Sequence, residues 1–266
     1  MALGRCWASI GYLPAMASIA IGDIHGNLAA LNDLLAQIEP ILTSCDTVVF
    51  LGDYIDRGAE SSSVIDRILT LRRETIATVV TLKGNHEHWL LKTMSDYTCH
   101  SWLLATEAYS TIESYSPVAA ETLRTAALMI GRDALYGGLL PLPYEVFFNA
   151  LPPTHVEFFR GLQLFYQLAD CIFVHAGLDV QIASLEKQPP FALLMGTFNF
   201  PGLYFGPSVV VYGHHDDAEV RNGWPHPRVT PWAVGIDTVS HGVLTAVRLP
   251  DRTIFQSARY PVSVSE

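Results

Sequence analysis

Charge is scarce in this sequence. Only 16% of its 266 residues are charged, against 50% that are hydrophobic, and the mean hydropathy is +0.26, which excludes a chain kept unfolded by polarity and self-repulsion. Basic charge is scarcer still. Sixteen Lys and Arg face 26 Asp and Glu, a formal net charge of −10, so most of the surface repels nucleic acid and anionic lipid, and neither nucleic acid nor membrane is expected as a partner. Cysteine is sparse: Cys6, Cys45, Cys99 and Cys171 form no CxxC pair, which points to reduced thiols in a cytoplasmic protein and away from a secreted disulfide framework. No stretch of about 18 apolar residues occurs, so no membrane-spanning helix is expected. Repeats, low-complexity tracts and linkers are absent, and residues 16–266 are expected to form a single domain. Residues 1–15 are set apart as an N-terminal tail. Arg5, Gly11 and Pro14 interrupt its apolar character, it runs directly into a strand that a cleaved signal would leave no room for, and Met16 offers a second start.

Against these absences stands a strong periodic pattern. Short β-branched runs at 18–22, 47–51 and 78–82 alternate with helical patterns at 27–38, 61–73 and from His86 onward, a βαβαβ arrangement. The stretch around 95–165 reads as a helical insertion broken at Pro117, Pro141, Pro143, Pro152 and Pro153. Strand signals return at 171–175, 208–213, 232–237 and 243–249, giving a β-rich C-terminal half. The fold class is therefore α/β with an α+β character.

The polar residues fall at the carboxyl ends of these strands, in the strings GDIHG (22–26), GDYIDRG (52–58), GNHE (84–87), HAG (175–177) and YGHH (212–215). Ligand sites of open α/β sheets lie at those ends, so the five strings are expected to converge. Asp23 and His25 stand two apart on an extended segment and can face one ion; taken alone, GDIHG reads equally well as a helix cap with a solvent-facing histidine. Asp53 would point to the same place, and a carboxylate readily bridges two cations. With Asn85, His175 and His214 the set holds two carboxylates, three imidazoles and one amide oxygen. Such donors suit two divalent ions, Mn2+ foremost with Fe or Zn as alternatives. Cations about 4 Å apart can ready a hydroxide and clamp both oxygens of an in-line displacement at phosphorus. His86 is the candidate general acid, Asp56 its orienting partner, and Arg57 a fork for phosphate oxygens, with Asn85 also facing substrate. Asp56 and Arg57 on their own would pass for a surface ion pair.

These strings, in this order, resemble the phosphoprotein phosphatase family of calcineurin-like metallophosphoesterases, above all its bacterial and phage members, over about residues 17–250. Weaker echoes lie in residues 100–115, LPPTHVEFFRGL (151–162) and GIDT (235–238). The resemblance implies a four-layer α-β-β-α sandwich of two mixed sheets flanked by helices. It implies Asp23, His25 and Asp53 on one metal, with Asp53 bridging to a second held by Asn85, His175 and His214. His86 backed by Asp56 would be the acid and Arg57 a phosphate ligand.

The sequence departs from the family where a second phosphate-binding Arg is expected: no Arg lies between Arg160 and Arg221, and only Lys187 or Arg221 could substitute. Such a loss would weaken transition-state binding by about 2–3 kcal/mol. Ala105–Glu107 and His241 stand where relatives often carry glycine. A serine/threonine protein phosphatase acting on a phosphorylated protein is the leading expectation, because Asp56 and Glu87 are commonly replaced in symmetrical dinucleoside tetraphosphate hydrolases. Such a hydrolase, acting on a small phosphoester, is the alternative. A catalytically weak relative that binds phosphoproteins is a second alternative. His88, His215, the Asp216–Asp217 pair and His226 are expected to be surface, packing or loop residues. Phe191, Phe198, Phe200, Tyr204 and Phe205 are expected as core or groove wall, with a peptide-facing surface as the alternative.

Overall fold

Along each central strand, successive apolar side chains enter different cores because they point to opposite faces. In β1 (Ser18–Ile21), Ile19 and Ile21 face the outer helices, while Ala20 faces inward to a second sheet. In β2 (Thr47–Phe50), Val48 and Phe50 face outward and Val49 inward. The computed structural model describes residues 16–196 and 208–260; the 1–15 tail, Phe198, Phe200, Tyr204 and Phe205 lie outside them.

Two crossover helices join the first strands. Helix α1 (Leu28–Ile38) starts where the Asn27 side chain accepts the Ala30 N–H at 3.1 Å and buries Leu31, Leu34, Leu35 and Ile38. Helix α2 (Ser61–Glu74) buries Val64, Ile65, Ile68 and Leu71 and leads into β3 (Thr78–Thr81). Strands β1, β2 and β3 are parallel, so the residues after each carboxyl end emerge on one edge. Helix α3 (Asn85–Ser95) starts at that edge.

The expected insertion is helical. It comprises α4 (Ser101–Ala105), α5 (Tyr109–Tyr115), α6 (Pro117–Ile130), α7 (Arg132–Gly137), α8 (Glu145–Phe148) and α9 (Pro153–Arg160). Its breaks coincide with the prolines: Pro117 is the first residue of α6, behind the Ser116 cap, and Pro153 the first of α9.

The second sheet follows, from β4 (Phe165–Gln167) and β5 (Cys171–Val174), then past α10 (Pro190–Met195) to β6 (Val209–Tyr212). A two-stranded hairpin, β7 (Glu219–Arg221) with β8 (Trp224–His226), precedes β9 (Arg228–Val229) and β10 (Ala233–Gly235). Strands β11 (Thr245–Leu249) and β12 (Thr253–Gln256) return to the first sheet. The orders are β12-β11-β1-β2-β3 and β4-β5-β6-β10-β9, both mixed. Ala20, Val49, Val80, Phe173, Val211, Val234 and Val247 fill the space between the sheets. Among the described residues, the outer face of the second sheet is covered only by α10 and a short 3-10 turn, Leu185–Lys187, over Ile172, Val174 and Val210. Two mixed sheets flanked by helices are thus observed, with a thin fourth layer. Strands β4, β9 and β12 and the β7–β8 hairpin are additions to the strands expected from sequence.

Candidate active site

All five strings meet at the shared strand edge, and the backbone there is strained. Among the described residues, eight that are not glycine have positive φ, and five of them belong to these strings: His25 (47°), Asp53 (50°), Asp56 (71°), Arg57 (64°) and His214 (62°). Such conformations cost about 1–3 kcal/mol each and persist where surrounding contacts over-determine them. Two glycines make room for carboxylates. A Cβ on Gly84 would lie 2.0 Å from Asp53 Oδ1, and one on Gly213 would lie 2.2 Å from Asp23 Oδ1.

Asp53 is the hub. His25 Nε2 lies 3.5 Å from its Oδ2, and His175 Nε2 lies 3.5 Å from its Oδ1. Each ring directs Nδ1 to a main-chain carbonyl, His25 to Ile55 at 2.9 Å and His175 to Leu51 at 3.0 Å. A ring that donates from Nδ1 presents a bare Nε2 to the centre. Burial, together with neighbouring imidazoles, lowers the pKa of both rings, and burial and His175 depress His214 to about 3. Burial opposes ionisation of Asp53, but the histidines around it, His175 first, hold its carboxyl well below the usual range.

The centre is thus rich in acceptors and short of donors. The Asn85 amide oxygen lies 2.9 Å from His175 Nε2, 3.0 Å from His214 Nδ1, and 3.0 and 3.2 Å from the two Asp53 oxygens. Turned over, the amide would donate its N–H groups to these atoms instead. Two clusters have ligand atoms all within 4.8 Å of one another, His25–Asp53–His86 and Asp53–His175–His214. They share Asp53, the one carboxylate common to both, and their oxygen and nitrogen donors can hold divalent metal ions. Asp23 is buried beside them, and its carboxylate accepts the His214 N–H at 3.1 Å. Burial raises its pKa well above normal, reinforced by Asp237 and Asp53. A buried carboxylate so crowded by like charge is one that a cation would relieve.

His86 Nδ1 is 2.7 Å from Asp56 Oδ2, and its Nε2 is 3.7 Å from Asp53 Oδ2. Burial disfavours the imidazolium, yet Asp53 and the Asp56 hydrogen bond outweigh it and lift the His86 pKa to about 9. Both carboxylates thus favour the protonated ring, the form a general acid requires. Arg57 is half-buried beside Asp23 and Asp237, and its side chain makes no hydrogen bond or ion pair among the described residues, leaving the guanidinium fork free.

Several contributors carry no local sequence signal for these roles. Glu87 is fully buried, and its carboxylate accepts the backbone N–H groups of Asp53, Tyr54 and Gly84 at 2.9–3.0 Å. Burial and Asp53 push its pKa to about 8. Asp237, from the GIDT string, is buried close enough to Asp23 to raise its pKa. Trp102 and Thr111 reach Asp56 from the insertion.

Of the remaining candidates only His215 borders this centre, its ring edge-on to His214 with centroids 4.6 Å apart. His88 packs on Trp89, and His215 hydrogen-bonds the Gly196 carbonyl at 2.8 Å. Asp216 pairs with His241, and Asp217 with Tyr212 and Arg228. His226, expected in a loop, instead ends β8, paired opposite Glu219, with its side chain exposed at the hairpin's open end. Phe191 is 65% exposed on α10, so it is neither core nor groove wall sealed by packing. Neither proposed stand-in for the second arginine is engaged with the centre: Lys187 is exposed, and Arg221 pairs with Glu219 on the exposed hairpin.

A strand-edge site with paired His/Asp clusters and a histidine–carboxylate dyad, set between two mixed sheets, is that of a metal-dependent phosphoester hydrolase. The chain belongs to the calcineurin-like phosphoesterase family (Metallophos), which it matches over residues 16–215. It is 24% identical over 271 residues to the asymmetrical bis(5'-nucleosyl)-tetraphosphatase of Oceanobacillus iheyensis, covering 92% of this chain and 94% of that protein. It is 28% identical over 284 residues to the symmetrical bis(5'-nucleosyl)-tetraphosphatase of a Janthinobacterium species, covering 91% and 96%. Identity to the catalytic subunit of serine/threonine-protein phosphatase 6 of Drosophila melanogaster is 33%, over 76 residues, covering 28% and 24%. A crystal structure assigned provisionally as a diadenosine tetraphosphatase superposes with a TM-score of 0.56 at 20% identity, covering 93% and 96%. Among the described residues no helix is long and apolar enough to cross a membrane.

Proposed function

We propose that this metallophosphoesterase hydrolyses a dinucleoside tetraphosphate. The observation that carries the reading is the likeness to two bis(5'-nucleosyl)-tetraphosphatases along more than nine-tenths of both chains. The likeness to a protein phosphatase is confined to about a quarter of each chain. This reverses the order expected from Asp56 and Glu87. Glu87 anchors three backbone N–H groups, a structural duty that says nothing about the substrate.

Asp23, His25, Asp53, Asn85, His175 and His214 would hold two divalent cations, with Mn2+ first and Fe or Zn as alternatives. When bound, these would supply an attacking water of lowered pKa and neutralise phosphate charge. The protein's own groups do the rest. Arg57 grips non-bridging oxygens with its planar fork, with Asn85 beside it. His86 gives its Nε2 proton to the departing oxygen, and Asp56 holds the ring in the orientation that allows it.

A second reading, hydrolysis of phosphoserine or phosphothreonine, is favoured by one observation. The 2.7 Å His86–Asp56 contact equips the site to protonate an alkoxide, a poorer leaving group than a nucleotide phosphate. The same dyad weighs against a relative that only binds phosphoproteins, because binding needs no acid. Product analysis decides among them. With Mn supplied, diadenosine tetraphosphate and a phosphopeptide panel are compared by kcat/KM. Two molecules of ADP mark symmetrical cleavage, and ATP with AMP asymmetrical cleavage. Preferred turnover of phosphopeptides would overturn the proposal.

A further inference from the structure

Asp56 is buried at a positive φ of 71°, and among the described residues no element of the two sheets supplies a side chain to its carboxylate. Apart from His86, its partners come from the helical insertion. Thr111 Oγ1, on α5, donates to Asp56 Oδ1 at 2.6 Å. Trp102 Nε1, on α4, donates to Oδ2 at 3.0 Å. The Thr111 oxygen also accepts the Asp56 N–H at 2.8 Å, a donor shared with Ser61 Oγ at 3.2 Å. Thr111 therefore grips both the main chain and the side chain of one residue. All three partner side chains are fully buried, where an unsatisfied donor or acceptor is costly.

The insertion is itself pinned at this point. Ser114 and Tyr115 follow Thr111 at helical spacing on one face of α5. Ser62 of α2 bonds Ser114 twice, at 3.2 and 3.0 Å, and Tyr115 bonds His155, which reaches Asp66 of α2. Trp102 backs onto Phe147 of α8 with ring centroids 5.3 Å apart. Two donors, Thr111 Oγ1 and Trp102 Nε1, thus fix the plane of the carboxylate and leave one lone-pair direction of Oδ2 aimed at His86 Nδ1.

We infer that Trp102 and Thr111 are positioning residues: they act through Asp56 to orient His86, so the helical insertion sets the site's capacity for acid catalysis. This inference rests on the reading of His86 as the proton donor. Packing alone would be served by Phe and Val at these positions, which gives the test its contrast.

The experiment uses full-length, Mn-loaded protein as wild type, Trp102→Phe, Thr111→Val, Thr111→Ser and His86→Asn. Turnover of dinitrophenyl phosphate, whose leaving group needs no proton, is compared with that of phenyl phosphate, whose leaving group does. In parallel, the His86 Nδ1–H resonance is followed by proton NMR. Thr111→Val is expected to slow phenyl phosphate roughly tenfold to a hundredfold, leave dinitrophenyl phosphate within about twofold, and shift the low-field resonance upfield. Trp102→Phe should act in the same direction, and Thr111→Ser should restore both readouts. If the Thr111→Val and Trp102→Phe variants slow both substrates alike and keep the wild-type resonance, the two residues only pack, and the inference fails. If His86→Asn itself shows no leaving-group dependence, the acid assignment fails, and the resonance alone then decides whether the insertion orients the ring.

Discussion

The carboxylate of Glu87 accepts the backbone N–H of Asp53 at 3.0 Å, tying the first turn of α3 to the strand end that carries the central ligand candidate. The same group takes the N–H of Tyr54 and of Gly84. Three buried donors depend on one side chain. Truncation by Glu87→Ala would leave all of them without a partner, at about 1–3 kcal/mol each. Glu87→Ala is expected to lower stability by roughly 3 kcal/mol or more, read as a fall in the urea midpoint, with Glu87→Gln milder because one oxygen remains. A loss under about 1 kcal/mol for Glu87→Ala would mean water replaces the carboxylate.

Gly213 lies against Asp23, and an alanine Cβ there would come within 2.2 Å of Oδ1. The carboxylate must then move, since the strand behind it is fully buried. Gly213→Ala is expected to weaken Mn binding at least tenfold, measured by calorimetry, in a protein that still folds by circular dichroism. Unchanged affinity would mean that Asp23 is no ligand.

Much of this site was readable from the sequence because its determinants are local. Glycine–acid and glycine–histidine strings at strand ends announce a turn and a donor together, and the parallel order of β1, β2 and β3 brings them to one edge. The insertion was legible as helix through its prolines. What it does for Asp56 was not, because Trp102 and Thr111 lie 46 and 55 residues away and nothing local distinguishes them from packing residues. Glu87 misled for a related reason. Its carboxylate serves backbone groups 33 and 34 residues distant, so reading it as a mark of substrate class ascribed to chemistry a residue that holds the scaffold.

Metal dependence should follow the hub. Asp53 faces three imidazole nitrogens and the Asn85 amide, so Asp53→Asn removes the charge that makes two adjoining cation sites favourable. Turnover is expected to drop by at least a thousandfold, and the stoichiometry of tightly bound Mn to fall below that of wild type. Chelation of the wild-type protein should abolish activity and re-addition restore it. Turnover that survives exhaustive metal removal would reject the mechanism.

The pH behaviour of the metal-free protein tests the charge on His86. Its folded pKa of about 9 stands above the ordinary value of 6.5, so protonation favours the folded state. That contribution is fully present below about 6.5 and is lost as pH rises through about 9. The urea midpoint of chelated protein should therefore decline across that window, and the decline should shrink in Asp56→Asn. Loading with metal should pull the His86 pKa down, because a cation on Asp53 cancels part of the attraction that raised it. An NMR titration placing His86 near its ordinary value in the metal-free protein would contradict the geometry.

Arg57 is the proposed phosphate ligand, and no second arginine lies between Arg160 and Arg221. Its side chain makes no hydrogen bond or close ion pair among the described residues, although Asp23 and Asp237 lie near it, and the two other candidates, Lys187 and Arg221, are exposed, the latter bound to Glu219. A lone clamp should be worth more than a shared one. Arg57→Ala is expected to lower kcat/KM by tens to a few hundredfold, corresponding to about 2–3 kcal/mol for a charge-assisted contact made in the transition state. Arg57→Lys should recover only part of this, since an ammonium supplies charge without the bidentate fork. A fall of less than about threefold for Arg57→Ala would show that the phosphate is held without it, by another cation.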